Sequence, residues 1–170
     1  MPQNSCRMRK IELPNDILLS GVRQMIEEGH TVTIRVKGNS MRPFLEGERD
    51  SVVLSGLNSG SGNGELKEKD VILAEIAPSR YVLHRVICVN GDTITLMGDG
   101  NLRGKERCCT EDVVGIVTTL IRNGREIDCR SRKMRRYSGM WIALRPIRRL
   151  LLIIYRVFTG RLTNRKYKDT

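Results

Sequence analysis

The chain has 170 residues, enough for one domain with accessory segments and too few for two full domains. A hydrophobic fraction of 39% can build one core, which speaks against wholesale disorder, while 4% aromatics is too few for a base-stacking platform on single-stranded nucleic acid. The net charge of +11 is unevenly divided: residues 1–119 carry 15 Lys+Arg against 16 Asp+Glu and residues 120–170 carry 15 against 3, so the basic field belongs to the C-terminal segment.

Asp16 is placed to cap a helix over residues 16–28, because Leu18, Val22, Met25 and Ile26 fall at i, i+4, i+7 and i+8 and Gly29 supplies the stop. The period then changes to two. Val32, Ile34 and Val36 alternate with Thr33, Arg35 and Lys37, the pattern of a half-buried strand, and Gly38 and Pro43 bracket a turn after it. Further strands are expected at Ser51–Leu54, Val71–Ile76, Tyr81–Val89, Thr93–Met97 and Val113–Ile121, with hairpin turns at Asn90-Gly91 and Asn123-Gly124, where both central residues need positive φ. Ser55 to Gly64 reads as a flexible Gly/Ser/Asn loop. After Cys129 a basic stretch, Arg130 to Arg136, leads into an apolar helix over Trp141 to Phe158, interrupted or begun at Pro146. Arg145, Arg149 and Arg156, with Arg148, draw a basic stripe along that helix. The organisation expected is an N-terminal helical segment (1–29), a β domain (30–129) and a basic amphipathic tail (130–170).

Cys6, Cys88, Cys108, Cys109 and Cys129 form no Cys-x-x-Cys pair and have no histidine at a ligand spacing, so reduced thiols are expected and a metal site is not. The longest apolar run, Leu150 to Tyr155, is too short to span a bilayer, and no charged-then-apolar leader precedes Met8. A cytoplasmic protein, or one peripheral on the inner face of the membrane, is the expectation.

Chemistry concentrates at three places. In Val36-Lys37-Gly38-Asn39-Ser40-Met41-Arg42-Pro43-Phe44-Leu45-Glu46-Gly47 a strand delivers a serine onto a sharp turn, where neighbouring backbone N–H groups can converge on a developing oxyanion. A nucleophilic serine needs a base, and the chain has two histidines. His30 follows the helix stop and reads as a loop residue. His84 lies in the strand, on the face of Val82, Val86 and Cys88. If Asn90-Gly91 is a two-residue loop, Val89 pairs with Asp92, Val86 with Thr95, His84 with Met97 and Val82 with Asp99. Asp99 then sits diagonally from His84, about 7–8 Å away at the backbone, and a carboxylate can reach the imidazole. A three-residue loop would turn Asp99 to the other face. The set Ser40, His84, Asp99 is thus a candidate Ser/His/acid constellation.

These motifs resemble those of the signal peptidase I and LexA-like serine peptidase superfamily over about residues 30 to 120. Gly38-Asn39-Ser40-Met41-Arg42-Pro43 followed by Gly47-Glu48-Arg49-Asp50-Ser51-Val52-Val53 is similar to the nucleophile box, and Leu83-His84-Arg85-Val86-Ile87 to the general-base box. Met97-Gly98-Asp99-Gly100-Asn101 resembles the acidic box, and Glu111-Asp112-Val113-Val114-Gly115 the stretch that closes the domain. Histidine at the base position is the pattern of the endoplasmic-reticulum and archaeal branch. The resemblance implies a mainly β, coiled-ribbon catalytic domain between an N-terminal helix and a C-terminal helical tail. It also implies a serine endopeptidase without metal or organic cofactor, acting on a peptide or protein, with a leader segment as one such substrate. Ser40 would be the nucleophile, His84 the base and Asp99 the acid, with Gly38, Asn39, Met41 and Pro43 lining the oxyanion and substrate site. Glycine stands at 38 where signal peptidases usually have serine, so the Ser40 N–H would carry most of the oxyanion role. A second acid after the acidic box is offered only by Glu106 between Asn101 and Cys109.

Two other classes compete: a LexA-like transcriptional regulator and a catalytically inactive peptide-binding module on the same fold. Only one helix precedes the serine strand, too few for an N-terminal helix-turn-helix, so nucleic acid is disfavoured as a partner. For the tail two readings stand: a helix packed on the body with its arginines in solvent, and, favoured here, a helix at an anionic membrane surface, with Arg145, Arg148, Arg149 and Arg156 near headgroups and the Leu150 to Ile154 face entering the interface.

Overall fold

The computed structural model describes residues 15–57, 66–155 and 157. Helix α1 (Asn15–Glu27) is followed by strands β1 (Val32–Arg35), β2 (Asp50–Ser55), β3 (Val71–Ala77), β4 (Arg80–Asn90), β5 (Thr93–Met97), β6 (Glu106–Cys109), β7 (Val113–Arg122) and β8 (Arg125–Asp128), and then by helix α2 (Arg132–Ala143). A short 3-10 turn, Arg145–Ile147, separates α2 from a further helix, α3, through residues 148–155. Cys6 and most of the Ser55 to Gly64 loop lie outside the described residues.

The protein is mainly β. All the strands belong to one eight-stranded sheet in the order β1-β2-β7-β3-β4-β5-β6, with β8 pairing on β7, and every pairing is antiparallel. Alternation along β3 sends its side chains to two cores. Val71 and Leu73 join Val22, Ile26, Met41, Phe44, Leu45 and Leu120 on one side, while Ile72 and Ala74 join Val86, Ile94, Leu96 and Ile116 on the other. Apolar residues on both faces of β3 and β4 are the consequence: these strands are enclosed, and strict polar alternation is lost.

The two hairpin signals behave differently. At Asn123-Gly124 both residues have positive φ, 51° and 74°, and Arg122 pairs with Arg125 as a two-residue loop requires. At Asn90-Gly91 only Gly91 is positive, at 57°, and Asn90 still pairs with Thr93, so the loop is Gly91-Asp92. Asp92 is held there from a distance: its carbonyl oxygen accepts the Thr110 N–H at 3.1 Å. A bulge between Val86 and Cys88 then takes back part of the displacement, and Arg85, not His84, stands opposite Met97. The expected pairing of His84 with Met97 is therefore corrected by one residue, and Cys88, expected on the His84 face, is exposed.

The C-terminal helices pack on this sheet. Ser131 caps α2, accepting the Met134 N–H, and Met134, Tyr137, Ser138 and Trp141 fall on one face at i, i+3, i+4 and i+7. Trp141 and Ser138 are buried, and Tyr137 stacks on Phe44 at 5.9 Å between ring centroids. Among the described residues no helix is long and apolar enough to cross a membrane.

Candidate active site

The serine turn is a loop closed at its base and filled at its centre. Val36 and Glu48 are joined by the Glu48 N–H to Val36 O hydrogen bond, and Val36 N–H donates to Asp50 O, both at 2.9 Å. Inside, Met41, Phe44 and Leu45 are buried, which pins the chain directly after Ser40. The Arg42-Pro43 peptide bond is cis. Ser40 itself is half-buried at the mouth, with Gly38 and Asn39 exposed beside it.

His84 comes from β4 and is 4% exposed. It shares with Ser40 a pocket of about 150 Å3 lined also by Val36, Lys37, Gly38, Met41, Tyr81, Val82 and Leu83. Asn39 and Pro43 do not line it. A larger hollow of about 360 Å3, bounded by Met97, Leu102, Pro146 and Arg148, lies beside the C-terminal helices and contains neither serine nor histidine.

The acid bonded to the imidazole is Glu106. Its Oε2 lies 3.1 Å from His84 Nδ1. Register explains the choice: Val86 pairs with Leu96 and Leu96 with Glu106, so Glu106 shares the face of Val86 and His84 across one intervening strand. A carboxylate can only accept here, which assigns the proton to Nδ1 and leaves the Nε2 lone pair available. Burial lowers the His84 pKa below its ordinary 6.5, outweighing Glu106, which acts in the opposite direction. At neutral pH the imidazole is uncharged, the form a general base requires.

Asp99, expected beside His84, is paired with Arg85. Arg85 Nε donates to Asp99 Oδ1 at 2.8 Å and Oδ2 at 3.1 Å, and Nη2 to Oδ2 at 2.5 Å. The cause is the one-residue offset: Met97 opposite Arg85 places Asp99, two residues on, toward the Arg85 face. Asp99 nonetheless serves the same turn. Gly98 and Gly100 on either side of it press onto the serine loop, where a Cβ at 98 would fall on Ser40 O and one at 100 would lie 2.9 Å from Asn39 O. The Gly100 N–H donates to Ser40 O at 2.7 Å. Glycine is required there by backbone contact.

Among the tail residues expected at a membrane surface, Arg148 is corrected. It is 2% exposed, its Nη2 donates to Trp141 O at 3.1 Å, and its guanidinium lies 5.4 Å from the Trp141 ring centroid. Helical phase places it with Leu152 on the seam facing the body. Arg149 is exposed, whereas the Arg145 side chain and Arg156 lie outside the described residues. Ser138 and Trp141 carried no functional signal in the sequence, and Arg85 stood there only as the neighbour of His84 in the general-base box, with nothing local to name Asp99 as its partner.

No protein-family model matches the chain, and no curated protein matches it.

Proposed function

We propose that this chain is a serine endopeptidase of the signal peptidase I and LexA-like superfamily, in its histidine-base branch, cleaving a peptide or protein through an acyl-enzyme. The observation that carries the reading is a half-buried serine on a braced turn and a buried, carboxylate-bonded histidine lining one pocket. Four motifs in the superfamily's order support it. In this reading Ser40 Oγ attacks the scissile carbonyl carbon as its proton passes to His84 Nε2, and Glu106 holds Nδ1–H and steadies the imidazolium that forms. Collapse of the tetrahedral adduct breaks the C–N bond, and the His84 proton goes to the leaving amine. Water, deprotonated by the same imidazole, then releases the acyl group and restores the Ser40 hydroxyl. The backbone N–H of Ser40 faces the developing oxyanion.

The test is labelling of the full chain by a fluorophosphonate, which reacts with activated serines, together with sequencing of new protein N-termini in cells making the chain. Ser40→Ala should abolish labelling and lower cleavage by at least about a thousandfold. Labelling that persists in Ser40→Ala, or none in the native chain, would overturn the assignment, the latter in favour of an inactive peptide-binding module.

The same reading gives the C-terminal helix a place at an anionic membrane surface. Ile147, Leu150, Ile153, Ile154 and Val157 are exposed on the side away from buried Arg148 and Leu152, with Arg149 exposed at the flank. Leu150→Asp should weaken sedimentation with vesicles containing anionic phospholipid; unchanged binding refutes the surface.

A further inference from the structure

A strand residue, a turn and a helix that are far apart in sequence converge behind Ser40. Arg85 is 1% exposed, and besides its bonds to Asp99 its Nη1 donates to Lys69 O at 2.9 Å and to Ser138 Oγ at 2.7 Å. The face of its guanidinium lies 4.6 Å from the Phe44 ring centroid. Trp141, one turn after Ser138 on α2, donates its Nε1–H to the Asp99 backbone oxygen at 3.2 Å. Asp99 is therefore held from α2 twice: at its carboxylate through Arg85 and Ser138, and at its backbone by Trp141. Its glycine neighbours are the residues that press on Ser40 O.

We infer that Ser138 and Trp141 are positioning residues for the nucleophile, so that α2 belongs to the working unit of the site rather than to a dispensable basic tail. The inference rests on the reading of Ser40 as the nucleophile. Its physical basis is rigidity. A serine on a turn supported only by its own loop can drift by ångströms, and a misplacement of that order slows attack severely. Here the Gly100 N–H to Ser40 O bond sets where the turn sits, and α2 sets where Gly100 sits. Removing the Ser138 hydroxyl leaves Arg85 Nη1 with one acceptor inside a dry site and loosens the guanidinium against Asp99. Losing the Trp141 N–H frees the Asp99 carbonyl while keeping an aromatic ring in the core.

Two readouts on the full chain test this, one independent of the chemistry. In Ser138→Ala and in Trp141→Phe the Gly100 amide should exchange with deuterium roughly tenfold faster, while amides of Val117 and Leu120 on β7 keep their native rates. Fluorophosphonate labelling of Ser40 should slow roughly ten- to hundredfold at saturating probe, with the half-saturating probe concentration unchanged. Ser138→Thr, which keeps a hydroxyl, should restore both. Native exchange at Gly100 in both variants overturns the inference, as does faster exchange with native labelling. Faster exchange throughout β7 in Ser138→Ala marks global loosening, and Trp141→Phe then decides. If the native chain is not labelled at all, the peptidase reading falls and the positioning role falls with it, an outcome distinct from equal labelling of native and variants.

Discussion

Two buried aspartates brace the serine loop, one under Ser40 and one at the loop's far end, and they differ in how far water reaches their arginines. Asp50 accepts from Arg49, from Arg122 and from the Glu46 N–H, and the arginine side chains are 37% and 31% exposed. Asp99 is served by Arg85, whose side chain is 1% exposed. The chemistry is the same carboxylate and guanidinium, but one pair stands at the rim and the other is sealed. A rim pair can exchange protein partners for water when disturbed; a sealed pair cannot, so each partner becomes indispensable to the other.

The largest expected effect follows from that contrast. Arg85→Met strands the Asp99 carboxylate in a dry site and should cost about 3–5 kcal/mol of stability in urea unfolding. Arg122→Met leaves Asp50 with Arg49 and the Glu46 N–H, and roughly 1.5–3 kcal/mol is expected. Equal losses would break the comparison, because enclosure would then not be what separates the pairs.

Titration sharpens it. Burial alone would raise the Asp50 pKa, but the hydrogen bonds from Arg49, Arg122 and Glu46 outweigh burial and hold it well below 3.8. The stabilisation from Asp50 is accordingly present above pH 3.8 and lost as pH falls below it. His84 acts in another window. Its folded pKa lies below 6.5, chiefly through burial, so below pH 6.5 the unfolded chain takes up a proton that the folded chain refuses. Stability declines from there until the folded imidazole protonates. Unfolding midpoints measured against pH should show two separate descents, and Arg122→Met should shrink only the lower one. A single descent, or an upper descent that Arg122→Met also shrinks, would contradict the assignment.

The smallest stability effect is expected at Glu106. Glu106→Gln removes the charge that holds the His84 pKa up, so the acidic limb of cleavage should move to lower pH, and the rate should fall by roughly a hundredfold or more as the imidazole loses its orienting partner. An acidic limb that stays in place or moves to higher pH would count against Glu106 as that partner.

How much of this was readable in advance depends on the range over which each feature is decided. Periodicity placed α1 and β1, and apolar stretches between turn signals placed β2 to β5 and β7, nearly at their observed bounds, because both are local records of what the chain buries. The serine turn and His84 on an enclosed strand were likewise legible, as residues with strong local signatures. β6 was not, since Glu106–Cys109 is a short edge strand with little alternation and is shaped by its pairing with β5.

The sequence by itself therefore determined the mainly β architecture, the Ser40 and His84 candidates and a helix break or start at Pro146, but not α2, which begins at Arg132 inside the basic stretch and ahead of the helix expected from Trp141. Tertiary structure decided which acid meets the imidazole, because a turn displaced to Gly91-Asp92 and a bulge after Val86 together shift the register by one residue, and in a sheet one residue exchanges the faces. It decided also that Arg148 is buried and that α2 reaches Asp99. Trp141 and Asp99 are 42 positions apart, and no local pattern encodes a partner at that distance: the long-range contact is chosen by which packed arrangement satisfies a buried guanidinium and carboxylate together.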